Sequence, residues 1–381
     1  MHETGVLALV PDDWWVAWER RHQILSRLAT YFPVAWISPA MHWTSWLAHH
    51  ARPSRPQRQA APDTRMFTIA PADGAPTVYQ PMALRRAVFR RRVKRGADWL
   101  RQRGCRKVEL QIWRPDFAEA LDWVPHATSS YHIDDEYSWS HEEEVMSPAE
   151  RRVIERVDRV YVTSLKLLDT KGGINANTIF SPNGVDYGAF SSPAPEAIDL
   201  ARIPHPRVGY VGVLKVELDW DLLTALVMQH AEWSFVFIGP VRAVHHSIHE
   251  PIARLRRQPN AHFLGEKSVG ALPAYVQGID VALLPYLRNA YMDAINPLKL
   301  YEALAAGTPV VASRIRTVEH FASVVTIAEG IDDWNAGIAS ALTETSRDRK
   351  AQRQAVAREY DWDAIVAAMA QTMSGNHKPD G

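Results

Sequence analysis

The chain of 381 residues contains a single cysteine, Cys105. One thiol excludes an internal disulfide framework and any zinc site built on a cysteine cluster, and it fits a reducing compartment. Net charge is also missing, because 43 Lys and Arg balance 43 Asp and Glu. Nothing global therefore points to nucleic acid or to an acidic partner. No apolar run reaches the roughly 18 residues of a membrane span. The opening "MHETGVLALVPDDWW" lacks both the basic region and the long apolar stretch of a signal peptide. A cytoplasmic protein able to touch a membrane surface is expected. No G-x-G-x-x-G follows a strand and opens a helix, which disfavours a nicotinamide dehydrogenase.

What the chain does have is 46% apolar residues, enough for two buried cores. Short apolar strands such as "GVLALV", "VAWIS", "KVELQIW" and "RVYVTS" alternate with helical patterns. That alternation predicts an α/β protein with mostly parallel, doubly wound sheets. The Pro-rich stretch "NGVDYGAFSSPAPEAIDLARIPHP" has no sustained period, and the strand–helix alternation restarts after it. The expected division is a first domain over 1–183, a linker over 184–206 and a second domain over 207–358. A helix is expected over 359–374 and a flexible tail over 375–381.

In "INPLKLYEALAAGTPVVAS", Asn296 suits an N-cap, Pro297 the first helical position, and Gly307 before Pro309 a helix stop. Lys299 and Glu302 share a face near the amino end of this helix. A lysine there opposes the helix dipole. One reading is a solvated ion pair. The other is a ligand site, because the helix follows strand "DVALLPY" and opens at the carboxyl edge of a parallel sheet. Free amides plus a lysine suit a diphosphate, and a nearby carboxylate suits ribose hydroxyls.

Together with "HFLGEKSVGALPAYVQGIDVALLPY" and "FSPNGVDYGAF", this stretch resembles the donor half of GT-B glycosyltransferases, in particular the family-4-like bacterial enzymes of exopolysaccharide assembly. "DDWWVAWERRHQILSRLA" and "YHIDDEYS" resemble the matching amino-terminal half, so the resemblance covers most of the chain. It implies two Rossmann-like domains facing across a cleft, the first for the acceptor and the second for the donor, with the helix over 359–374 packing back on the first domain. The donor is a nucleoside-diphosphate sugar, with UDP or GDP as the nucleotide, and the acceptor a glycan or lipid-linked saccharide. By the resemblance, Glu302 binds ribose and Lys299 the diphosphate, close to Asn296, Pro297 and Leu298. In "RVGYVGVLKVELDW", Gly209 and Gly212 let backbone approach the phosphates and Lys215 is a second cation, while the loop at Glu266 holds the base. A second glutamate common in that family, eight residues before Glu302, is replaced by Ala294. Asp293, Asn289 or Asn296 would then meet the sugar, and stereochemistry stays open. No bound cofactor and no metal are implied. "DWD" at Asp219–Asp221 has metal-motif spacing but lies at a helix start, where capping explains it.

The acidic end of "SSYHIDDEYSWS" follows a strand, so Asp134 or Asp135 could be the base that deprotonates an acceptor hydroxyl, or could cap a helix. His132 is a third candidate, with a core role as its alternative. Arg20 and Arg21 could hold an anionic acceptor or form a solvated face, and Trp14, Trp15 and Trp18 could stack on sugar or fill a core. From Leu84 to Lys107 the chain carries eleven Arg or Lys against one acid, Asp98. A helix with Leu84, Val88 and Trp99 on one side and cations around it suits an anionic membrane surface. Two other functions remain open on the same fold: a non-hydrolysing nucleotide-sugar epimerase and a catalytically silent binding scaffold.

Overall fold

The computed structural model describes residues 3–15, 18–50, 63–78, 81–137, 146–242 and 246–374. The tail expected over 375–381 lies outside the described residues. The chain forms two compact units. One comprises residues up to Thr163, Leu167–Ser181 and the segment from Asp363 onward, and the other Ser164–Lys166 and Pro182–Trp362.

The first unit holds strands β1 (Thr4–Leu9), β2 (Val34–Ile37), β3 (Met66–Ile69), β4 (Lys107–Ile112), β5 (Thr128–Ile133), β6 (Arg159–Val162) and β7 (Thr178–Phe180). They pair in parallel in the order β3-β2-β1-β4-β5-β6-β7. The inner strands are buried along almost their whole length, because crossover helices cover a parallel sheet on both faces. Between β4 and β5 the connection is the 3₁₀ helix Pro115–Asp122 rather than an α-helix.

Strands β8 (Arg207–Val211), β9 (Ser234–Ile238), β10 (Ala261–Gly265), β11 (Val281–Leu284), β12 (Val310–Ser313) and β13 (Thr326–Ala328) build the second sheet. It is again parallel, in the order β10-β9-β8-β11-β12-β13. This order reverses direction between β8 and β11, which creates a crevice at their carboxyl ends where such folds take ligands.

Residues 184–206 do not behave as a free connection. The short helix Tyr187–Ser191 buries Phe190, and Leu200 and Ile203 pack with Tyr275 and Ile279 of the second unit. Scattered apolar residues reach a core here without any period to announce them. The terminal helix Trp362–Met373 falls mostly within the first unit, where Asp363 pairs with Arg27 at 2.6 Å.

The basic helix Met82–Gln102 corrects two expectations. Its buried side is Phe89, Val93, Gly96, Ala97 and Leu100, whereas Leu84 is about half exposed and Val88 and Trp99 are partly covered. Arg92 is not a surface cation but a buried one. Its guanidinium donates to the carbonyls of Ser38 (2.8 Å), Asp73 (2.6 Å) and Ile69 (3.3 Å), and also to that of Ala70. It thereby satisfies backbone groups just past the ends of β2 and β3, and burial draws its pKa down to about 10. Arg92→Met should lower stability by about 3 kcal/mol, because carbonyls served by a charged donor lose it inside the protein. Chemical denaturation of the variant measures the loss.

Candidate functional site

The second unit's crevice is built by three turns. After β8 the chain passes through Gly212 at φ 153°, whose amide donates to the Ile238 carbonyl at 2.7 Å. After β9 it passes through Gly239 at φ 140°, where a Cβ would lie 2.0 Å from the Gly212 carbonyl oxygen. Only glycine fits both the backbone angle and the approach. Gly239 was not singled out from the sequence, although its place directly after strand "SFVFI" was a usable signal.

The helix after β11 spans Leu298–Ala306. Pro297, with extended backbone, is its N-cap, one residue later than expected, and Gly307 at φ 76° closes it in the left-handed conformation. Asn296 is buried before the cap, and its carbonyl accepts from the Asn183 side chain. Leu298 and Lys299 are half-buried on the first turn. The Lys299 side chain runs across Gly212, so that a Cβ there would lie 1.7 Å from Lys299 Cε. Its ammonium lies 5.7 Å from the centre of the Tyr210 ring. Gly212 therefore makes room for the lysine as well as for a turn. Gly209 does something else: a Cβ there would meet Ile279 at 2.4 Å, so this glycine serves helix-to-sheet packing rather than ligand approach.

Glu302, half-buried one turn further, has its carboxyl pushed above the ordinary glutamate value by burial, opposed by the Lys299 charge. Lys215 is held by Glu217 at 3.2 Å, and Tyr286 faces both Glu217 and Glu302. Glu266 is exposed beyond β10, after Gly265. Its neighbour Lys267 pairs with Asp199 at 2.5 Å, which pins that loop. Lys299, Glu302, Gly212 and Lys215 thus lie on the turns that follow β8 and β11, whereas Glu266 stands on the loop after β10.

The alternatives for the missing family glutamate are partly used elsewhere. Ala294 is buried, the Asn289 side chain caps the short helix Ala290–Ala294, and Asp293 accepts from the Arg316 amide at 3.2 Å. Asp219 likewise caps a helix, accepting from the Leu222 amide at 2.9 Å.

In the first unit, Asp134 stands just beyond β5 with its side chain 18% exposed and 3.3 Å from Arg20 Nε. Burial pushes its carboxyl up to about 6 against the pull of Arg20 and Arg21. Asp135 accepts from the Glu136 amide at 2.8 Å. His132 cannot meet a substrate: it has no exposed surface and is sandwiched between Trp113 (4.1 Å) and Tyr161 (4.7 Å). Burial keeps its imidazole neutral, with a pKa well below the usual value. Arg20 and Arg21 are buried ligands of the protein itself. Arg20 donates to Ser181 Oγ at 2.8 Å, and Arg21 pairs with Asp12 and with Glu19 at 2.7 Å. Trp14 is a core residue, packed edge-on against Trp36 at 5.3 Å. Among the described residues, no three His, Cys, Asp or Glu stand together as a metal would require.

Residues 205–348 match the family model described as glycosyl transferases group 1. That match lies within the second unit. A Bacillus subtilis (strain 168) relative, TuaH, whose name assigns it to teichuronic acid biosynthesis as a glycosyltransferase, is 30% identical over 234 residues. That match spans 58% of this chain and 58% of the relative's length. Sucrose-phosphate synthase of Thermosynechococcus elongatus has TM-score 0.70 at 17% identity, covering 97% of this chain and 98% of its own. Anabaena HepE, solved with UDP and glucose, has TM-score 0.68 at 16% identity, covering 98% and 100%. Escherichia coli trehalose-6-phosphate synthase with UDP-2-fluoro glucose has TM-score 0.65 at 14% identity, covering 97% and 99%. With its two parallel sheets, the chain has the GT-B fold.

The second unit makes one electrostatic prediction without any ligand. Because the Lys299 charge restrains an already raised Glu302 carboxyl, Lys299→Met should raise its titration midpoint further. Carboxyl NMR titration of both proteins checks the direction.

Proposed function

We propose that the protein transfers a sugar from a nucleoside-diphosphate sugar to a glycan or lipid-linked saccharide of the bacterial cell surface. The observation that carries this reading is the pairing of Lys299 with the Gly212 turn at the point where the strand order reverses, with Glu302 one turn along. A diphosphate beside Lys299 and the helix amides removes the conflict between lysine and dipole, and it takes up the charge that develops on the leaving group. Glu302 accepts from ribose hydroxyls. UDP is the first nucleotide to test, since HepE and the trehalose-6-phosphate synthase were solved with UDP or a UDP-sugar. The relative TuaH supports a cell-surface glycan as the acceptor class.

In the transfer, the bond from the anomeric carbon to the diphosphate oxygen breaks, and a bond to the acceptor oxygen forms. In an inverting reaction the acceptor proton passes to a carboxylate. Asp134 is the candidate with the fitting environment, since its raised pKa of about 6 makes it a stronger base than an exposed aspartate. The carboxylate is ionised above that pH, so the transfer rate should fall as pH drops through about 6. Asp134→Asn should abolish transfer and spare nucleotide binding. Rate profiles against pH on both proteins are the check, and an unchanged acid limb in the variant would remove Asp134 from the mechanism.

No divalent metal enters this reading, because Lys299 and backbone amides supply the positive charge. Undiminished transfer in EDTA is the expected result. A thermal-shift panel of UDP-, GDP-, ADP- and dTDP-sugars should give one clear stabiliser, and Glu302→Ala should weaken its binding roughly 10- to 100-fold, the worth of charge-assisted hydrogen bonds. Silence across the panel, with Glu302→Ala indistinguishable from the parent, would favour a binding scaffold. A new nucleotide sugar formed without any acceptor would favour the epimerase.

A further inference from the structure

The first unit carries a second concave feature that the donor chemistry does not use. A groove of about 830 Å³ lies between the start of helix Met82–Gln102 and the 3₁₀ helix Pro115–Asp122. Pro39 and Ala40, just beyond β2, and Asp116, shortly beyond β4, line it, so it opens at the carboxyl edge of the sheet, the same edge that carries Asp134. Its apolar wall is aromatic: Phe89 packs against Phe117 at 5.1 Å and Trp123 at 5.8 Å.

The charges in this groove are uneven. Of its two carboxylates, Glu119 is taken by Arg86 at 2.5 Å and Asp116 by Arg114 at 3.4 Å. Arg85 and Arg90 also line the groove, are exposed, and have no carboxylate partner among the described residues. Two uncompensated guanidiniums over an aromatic wall call for an anion with an apolar body.

The rim points to where that anion resides. Met82 (55% exposed) and Leu84 (49%) stand at the start of the basic helix. Trp43 (46%) and Leu47 (52%) share one face of the helix Trp43–His50, and the Trp43 amide donates to the carbonyl of Thr77, a groove residue, at 2.9 Å. Exposed Trp, Leu and Met beside arginines form the mixed surface that suits the boundary between lipid headgroups and acyl chains.

We propose that this face docks on an anionic bilayer, with a lipid phosphate held between Arg85 and Arg90 in the groove and Trp43, Leu47, Met82 and Leu84 set among the acyl chains. The inference deepens the proposed function, on which it rests for its purpose: it gives the acceptor a lipid anchor on the edge where Asp134 stands.

Vesicle co-sedimentation with the full chain and no nucleotide tests it. The protein should bind phosphatidylcholine vesicles doped with phosphatidylglycerol and leave pure phosphatidylcholine unbound. Arg85→Glu with Arg90→Glu should weaken that binding on the order of tenfold or more, given about 1 kcal/mol for each cation near the surface. Trp43→Ser with Leu47→Ser should weaken it too, with a loss that persists at high salt. Arg91→Glu with Lys94→Glu, the same charge change on the same helix outside the groove, should cost much less. Equal losses in the two charge-reversed pairs would overturn the groove in favour of diffuse attraction. A site that inorganic phosphate stabilises in thermal shift, in a protein that ignores the vesicles, would overturn the bilayer. Nucleotide binding measured on the same variants, and vesicle binding measured on Lys299→Ala, separate this outcome from failure of the donor reading.

Discussion

A lysine at the positive end of a helix, lying across a glycine with no side chain to obstruct it, is the constraint around which the second unit is arranged. Lys299 can run over Gly212 only because that residue has no Cβ, and the turn fits only because Gly239 has none either and lets its backbone pass close by. Two strand ends and one helix start are thus fitted to each other through two glycines and a lysine stem. The arrangement is electrostatically unfavourable for the helix itself, since helix dipole and ammonium repel. Glu302 gives incomplete relief, because burial disfavours its ionised form. The diphosphate of the proposed donor would resolve the conflict.

The first unit solves a different problem with the same architecture. Its buried charges serve the protein itself: Arg20 and Arg21 hold Ser181, Asp134, Asp12 and Glu19, and Lys171 joins Glu136 to Glu150 at 2.7 Å each. Removing one member of such a pair strands the other in low dielectric. All but the Lys171–Glu150 link tie a loop beyond a strand end to a helix, so the edge bearing Asp134 is braced from several sides. Most cations of the basic helix, by contrast, turn outward.

The doubly wound sheets were legible because parallel strands buried on both faces read as short, continuous apolar runs separated by helical periods. Helix Leu298–Ala306 was legible to within a residue because Pro297 and Gly307 punctuate it. Side-chain destinations were not. Arg92 reads like its neighbours Arg90 and Arg91, and only the open carbonyls beyond β2 and β3 draw it inward. His132 looks like a catalytic histidine until Trp113 and Tyr161 close over it, and those partners lie on other strands or beyond them. Gly209 and Gly212 are three residues apart with opposite uses, a difference set by Ile279 and Lys299, both remote in sequence. In each case a long-range contact decides, and local pattern carries no trace of it.

The hydrogen bond from Asn183 to the Asn296 carbonyl has a mechanical meaning as well. The chain crosses from the first unit to the second between Ser181 and Pro182, so Asn183 is the second residue past that crossing. Its side chain grips the backbone immediately before the helix that carries Lys299 and Glu302. The helix start is therefore tied to one of the segments by which the chain passes from the first unit to the second.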